Sequence, residues 1–247
     1  MDKTLLILIL LHLLLVGYDT LNNEPNIKAL FINKSFLIHL FVFYIMVIPL
    51  TIIDYYKIYP FYKYKIKPQT LTLNLLYNTW KLVFKNQLLI PIISWLLYPF
   101  MNLSSTFYLY ELLYLLPFVI IEEIFFYLSH RILHYPFFYK HIHKIHHEWV
   151  YPIALSCIYS HPLEFIFSNL LPTILCLLLF NNISIYFYWL WMTIGFINTV
   201  LVHAGYTREK EYPLHFYHHV SFNYNYGVSL FMDKLMGTHK TKIYLLQ

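Results

Sequence analysis

Charge is scarce in this chain. Asp, Glu, Lys and Arg make up 12% of its 247 residues, about half of what an ordinary soluble domain carries, so a water-facing globular surface is excluded. Glycine is scarcer still, at 5 residues, and the chain has no phosphate loop, flavin or nicotinamide fingerprint or nucleophile elbow. The 2 cysteines, Cys157 and Cys176, suggest neither a disulfide framework nor a thiolate metal site. The net charge of +5 belongs mostly to loops and makes no basic stripe, which removes nucleic acid as a partner.

Hydrophobic residues abound instead, at 59% of the chain. Apolar runs at 4–17, 36–53, 88–101, 106–129 and 170–203, the last broken near Asn181 and Asn182, approach or reach the roughly 20 residues that a helix needs to cross a bilayer. The expected fold is therefore all-α, a polytopic membrane protein. The first run follows Lys3 and lacks a small-x-small cleavage site, so it reads as a retained anchor rather than a leader. Basic residues crowd three regions: Lys57, Lys63, Lys65 and Lys67; Arg131, Lys140 and Lys144; and Arg208, Lys210, Lys234, Lys240 and Lys242. The positive-inside rule places all three on the cytosolic side, which makes 88–129 and 170–203 transmembrane helical hairpins. The Asn-x-Ser sequons at Asn33, Asn102 and Asn182 then fall on the opposite face. With no internal repeat, the organisation reads as an N-terminal anchor region and loop over 1–84 and a catalytic domain over 85–247.

Histidine carries the chemistry. Twelve of the 14 histidines lie between His130 and His239. HRILH holds His130 and His134, HKIHH holds His143, His146 and His147, and HFYHH holds His215, His218 and His219. On a helix such spacings gather each group on one face. A neutral imidazole gives one ring nitrogen to a metal while the other donates a hydrogen bond that fixes its orientation. Eight rings exceed one tetrahedral zinc site; two metal ions fit the count. His161 and His203, each at an end of an apolar run, are candidates to complete the shell. His12 and His39 have no histidine neighbours and read as core residues, while His141 and His239 read as solvent-facing. Glu123, Tyr127, His130 and His134 form one helical stripe, so Glu123 is expected to support a ligand histidine, and Glu164 to do likewise; Glu122 lies on a different face and receives no role.

The three histidine boxes, in this order and at these separations, resemble those of the fatty acid hydroxylase and sterol desaturase superfamily. HKIHHEWVYPIALSCIYSHPLEFIFSNLLP, HAGYTREKEYPLHFYHHVSFNYNYG and DKLMGTHK are especially similar to its methylsterol monooxygenases and the related fatty acid hydroxylase domain-containing proteins, over roughly residues 85–240. The resemblance implies an endoplasmic reticulum membrane enzyme with a di-iron centre held by His130, His134, His143, His146, His147, His215, His218 and His219. The family pattern also has histidines where His161 and His203 stand. It further implies O2 as co-substrate and electrons from NAD(P)H through cytochrome b5 and its reductase. Asp233 and Gly237 match a short terminal motif of the family.

Breaking an unactivated C–H bond requires an oxidant made from O2 at a redox-active metal, which iron with nitrogen ligands supplies and zinc does not. The resemblance implies oxidation of a membrane lipid, and the methylsterol likeness favours hydroxylation of a C4-methyl sterol. A sterol C5 desaturase or a fatty acid or alkylglycerol hydroxylase of the same superfamily is the alternative. The link from His203 to His215 is shorter than in typical methylsterol monooxygenases. An inactive membrane protein with a structural metal would carry the same ligands. A zinc hydrolase would need a carboxylate base, for which Glu148 is the sole candidate and points off the ligand face.

Overall fold

The computed structural model describes residues 26–208 and 213–240, so the apolar run at 4–17 lies outside the described residues. Five helices there are long and apolar enough to cross a membrane: α1 (Ile27–Tyr56), α2 (Leu73–Phe100), α3 (Leu109–Leu133), α5 (Pro162–Leu179) and α6 (Ile185–His203). Short α4 (Pro136–His141), α7 (Leu214–Ser221) and α8 (Phe231–Leu235) lie outside the spans. The protein is an all-α polytopic membrane fold.

Helical periodicity sorts the side chains of α1 into two faces. Phe36, His39, Phe43 and Val47 are buried, whereas Leu37, Phe41, Ile45, Ile48 and Ile52 are exposed; with no water to satisfy in a bilayer, the exposed apolar stripe is the lipid-facing one. The inner face packs on α6, where Trp189 Nε1 donates to Ser35 Oγ at 2.9 Å and His39 lies 4.0 Å from the Phe196 ring. His39 Nε2 also meets Gln87 Nε2 at 3.1 Å, so His39 is an interior residue remote from the histidine boxes.

The arm expected at 88–101 begins earlier, at Leu73, where Thr72 caps the helix by accepting from the Leu75 N–H at 3.2 Å. Its polar residues, Asn78, Lys81, Lys85, Asn86 and Gln87, hid this half of the span from a search for apolar runs. Asn86 and Gln87 are buried because they have partners: Asn86 Nδ2 donates to the Ile158 and Ser160 carbonyls at 3.0 and 2.9 Å. The helix Leu73–Gln87 runs unbroken through residues 84 and 85, and Phe36, Phe43 and Val83 share one core with Leu155, Ile174 and Val200. The second hairpin also starts sooner than 170, at Pro162.

Both hairpin tips meet at one end of the bundle. There β1 (Leu103–Ser104) pairs in parallel with β2 (Ile183–Ser184), and Glu111 accepts from the N–H groups of Tyr108 and Ser184 at 3.0 and 2.9 Å. At the other end Lys65 Nζ bridges Asp54 Oδ2 at 2.8 Å and the Ala204 carbonyl at 2.7 Å, tying α1 to the exit of α6. The histidine boxes lie at this second end, with Lys57, Lys63, Lys65 and Lys67; the three sequons lie toward the first.

Candidate metal centre

Three elements deliver the rings. The last turns of α3 carry His130 and His134, a 3-10 helix over His143–Glu148 carries the middle box, and α7 carries the third. The middle box sits on a tighter 3-10 turn and the third on an α-helix, yet both depart from the expected outcome in the same way. Instead of converging on one point, each triplet splits. His130, His134, His143, His147 and His218 form one group and His146, His203, His215 and His219 another; within each group one ligand atom from every ring lies within 4.8 Å of the rest. The groups adjoin, with the His146 and His147 rings 5.7 Å apart and those of His215 and His218 5.5 Å apart. His203 thus joins a group. His161 does not: its Nδ1 accepts from the Leu163 N–H at 3.2 Å and caps α5.

The ring tautomers follow from the backbone. His130 Nδ1 lies 2.6 Å from the Tyr226 carbonyl, His218 Nδ1 2.8 Å from that of Tyr224, His203 Nδ1 2.8 Å from that of Thr199 and His146 Nδ1 3.1 Å from that of Tyr159. A carbonyl can only accept, so each Nδ1 carries the proton and each Nε2 carries a lone pair. Yet His203 Nε2 faces His146 Nε2 at 3.4 Å. Two lone pairs at that distance repel unless a cation lies between them. Other Nε2 pairs stand 2.9–3.1 Å apart: His130 with His143, His143 with His134 and with His147, and His134 with His218. For metal–imidazole bonds of about 2.1 Å, adjacent corners are separated by about 3.0 Å in an octahedron and about 3.4 Å in a tetrahedron. Fully buried His219 has no hydrogen-bond partner on either ring nitrogen, which leaves one free to meet a metal. The donor set and its spacing fit two metal ions.

Burial keeps the rings neutral. It pushes His134 down to about 2 and His146 down to about 4; His143, His147, His215, His218 and His219 are held well below the ordinary histidine value by burial first and by neighbouring histidines second. Neutral imidazole is the form that ligates a metal.

The carboxylates around the rings divide the work. Glu164 Oε2 stands 2.9 Å from His143 Nδ1. Glu123 contacts no histidine: its oxygens accept from the Ser229 and Met232 N–H groups at 2.7 and 3.1 Å, because it sits two helical turns before His130, level with the returning tail. The terminal motif that begins at Asp233 acquires a role in the structure. Buried Asp233 accepts from the N–H groups of Tyr226 and Gly227 at 2.9 and 2.8 Å and from Thr238 Oγ1 at 2.7 Å. It thereby sets the turn whose carbonyls orient His130 and His218. Gly227 lies between the two carboxylates, where a Cβ would come 2.5 Å from Glu123 Oε1 and 3.0 Å from Asp233 Oδ2. Exposed Glu148 accepts from Tyr159 OH at 2.8 Å, outside both groups.

A cavity of about 190 Å3 opens beside the rings of His130, His143, His146, His203 and His215. It follows the stripe Tyr188, Met192, Gly195, Thr199 and His203 on α6, and on its far side meets Phe126 of α3 and Phe165 of α5. Glu122, unassigned from sequence, lines it too and accepts from Thr173 Oγ1 at 3.2 Å.

Apolar helices long enough to span a membrane, closed at one end by two histidine groups that could hold metal, define the class of membrane protein. The family model of fatty acid hydroxylases matches residues 115–238, half of the chain, and the chain belongs to that family. It is 40% identical over 152 residues to fatty acid hydroxylase domain-containing protein 2 of Macaca fascicularis, a match covering 61% of this chain and 45% of that protein. It is 30% identical over 115 residues to a Dictyostelium discoideum protein named as a methylsterol monooxygenase, covering 42% of each. Fatty acid hydroxylase ahd1 of Mycosarcoma maydis is 39% identical over 103 residues, covering 41% of this chain and 27% of that one. The chain thus spans less than half the length of these relatives. No solved structure matches it.

Proposed function

We propose that this chain is a di-iron, O2-dependent lipid hydroxylase of the endoplasmic reticulum membrane, with its histidine end toward the cytosol, and that its substrate is a C4-methyl sterol. The observation that carries the metal is the facing lone pairs of His146 and His203, 3.4 Å apart. The family membership supports oxygenase chemistry. His130, His134, His143, His147 and His218 would hold one iron and His146, His203, His215 and His219 the other. Bound iron supplies reduction of O2 and removal of hydrogen from an unactivated C–H bond, one oxygen atom ending in the lipid hydroxyl and the other in water, with two electrons drawn from NAD(P)H through cytochrome b5 and its reductase.

The chain's own residues supply the rest. The Tyr159, Thr199, Tyr224 and Tyr226 carbonyls hold the protons of four rings on Nδ1 and aim each Nε2 inward. Apolar walls from Ile90, Phe126, Phe165 and Met192 exclude bulk water. The cavity is smaller than the roughly 300 Å3 at which sites for whole small molecules begin, so it takes the reacting end of a lipid while the remainder stays among the helices. A lipid lies with its polar end toward the side of the membrane where the histidines are, so the carbons near that end are the ones that reach the cavity. That orientation, and the similarity to a protein named as a methylsterol monooxygenase, favour the methyl group beside a sterol hydroxyl.

Sterol and fatty acid profiling of cells lacking the protein tests this reading. Accumulation of 4-methylsterols is expected. An unchanged sterol pool with altered fatty acids or ether lipids would overturn the sterol assignment, and no lipid change with zinc in the purified protein would overturn the oxygenase.

A further inference from the structure

Ser168 departs from a pattern that several helix-borne threonines keep, among them Thr173 and Thr199 of the same cavity wall. Thr79, Thr173 and Thr199 each turn their hydroxyl back onto the carbonyl four residues earlier, at 2.8, 3.1 and 2.9 Å, which is how hydroxyls are satisfied inside helices. Ser168 is 97% buried, being 3% exposed, and its Oγ has no hydrogen-bond partner. The backbone explains why. Residues Phe165–Leu170 form a π-helix at the start of α5, a rare local widening that recurs at functional sites and that re-registers the side chains it carries. Ser168 lines the cavity as a result.

An orphaned buried hydroxyl is destabilising, and here it sits in a cavity wall. Ser168 is four residues beyond Glu164, whose carboxylate stands 2.9 Å from His143 Nδ1, so it lies roughly 5–6 Å deeper than the ring-bearing layer at helical rise. Asn198, exposed, and Val228, 40% exposed, also line the cavity and stand at its opening.

We propose that Ser168 Oγ is the substrate-hydroxyl subsite: it hydrogen-bonds a neutral hydroxyl carried close to the carbon that is oxidised, and so fixes which carbon faces the histidines. This rests on the hydroxylase reading and deepens it. A hydroxyl about one helical turn from the rings suits a group oxidised within two or three bonds of an alcohol, as a methyl on the ring carbon next to a sterol hydroxyl would be. A long-chain alcohol presents the same chemistry. The hydroxyl approaches through the opening beside Asn198, and no charged partner is required, because Ser168 can donate or accept.

Binding to the full chain in detergent micelles tests the proposal without turnover. The ligands are a 4-methyl-3-hydroxysterol with its 3-deoxy counterpart, and hexadecanol with hexadecane. The wild type is expected to favour at least one hydroxylated ligand over its deoxy partner by about tenfold, and Ser168→Ala to abolish that preference while binding of the deoxy partner stays within about twofold. Ser168→Thr, which keeps the hydroxyl, should retain the preference. Selectivity confined to the sterol pair assigns a sterol, and selectivity confined to the alkanol pair a chain alcohol. Equal affinity for both members of each pair in the wild type, or an equal loss for both in Ser168→Ala, overturns the subsite. Iron content measured on the same samples separates this from a failure of the hydroxylase reading, since two irons with no hydroxyl preference would sink the subsite alone.

Discussion

Protonation would undo the two histidine groups one ring at a time. In the unfolded chain each imidazole takes up a proton near pH 6.5, whereas in the folded, metal-free protein burial delays this to about 4 for His146 and about 2 for His134. Between those values the unfolded state binds more protons, so stability is present above about pH 6.5 and is lost as pH falls toward 4 and below. Thermal unfolding of metal-free protein in detergent, followed from pH 8 to pH 5, should show a Tm that is flat above about 7 and falls steeply below about 6.5; a flat profile throughout would contradict neutral buried rings. Asp233 makes a second prediction. Asp233→Asn keeps the shape but weakens the turn that orients His130 and His218, and changes of this kind lower metal affinity by about 10–100-fold. Equilibrium dialysis with ferrous ion should show it, with the four-histidine group unaffected. The box histidines were legible because imidazoles at such spacings leave little else to be. Glu123 was less so: its stripe with His130 is real, but the atoms it meets come from residues 229 and 232, which no local spacing announces. The cap made by His161 and the orphan state of Ser168 likewise depend on backbone geometry around α5.

Elements decide how those residues are shared out. His143 and His147, at i and i+4, go to the five-histidine group and His146, at i+3, to the four; the α-helical third box divides at the same positions, His215 and His219 from His218. The sequence does not display this division, because it depends on how distant segments pack; Asn86 of α2, for one, holds the Ile158 and Ser160 carbonyls on either side of Tyr159. Asn86→Ala leaves both carbonyls without that donor and frees the segment bearing Tyr159, the acceptor of His146; reduced iron content is expected, with helix content by circular dichroism unchanged. The far end behaves as a separate unit. Glu111 and His130 are 19 residues apart on α3, about 28 Å at helical rise. Glu111→Ala strands the N–H groups of Tyr108 and Ser184, each costing about 1–3 kcal/mol. A lowered Tm with full metal content should follow.

At the level of the whole molecule, charge and hydropathy were enough to fix an all-α membrane fold in which two helical hairpins bring their tips to one end. The boundaries were harder to read, since α2 and α5 each hide polar, partnered residues inside a span, as Asn86 and Gln87 show, and an apolar window passes over them. The positive-inside reading makes Lys144 cytosolic and Asn102 lumenal, so a cysteine placed at Lys144 should be labelled by a membrane-impermeant maleimide in intact microsomes, and one placed at Asn102 only after permeabilisation. The central claim is that imidazoles from three separate boxes and the end of α6 enclose a pair of redox-active ions. Iron determination with iron K-edge X-ray absorption on the purified full-length protein tests that most directly. Two irons per chain with nitrogen neighbours at about 2.1 Å are expected. One metal per chain, or zinc bound in place of iron, would contradict it.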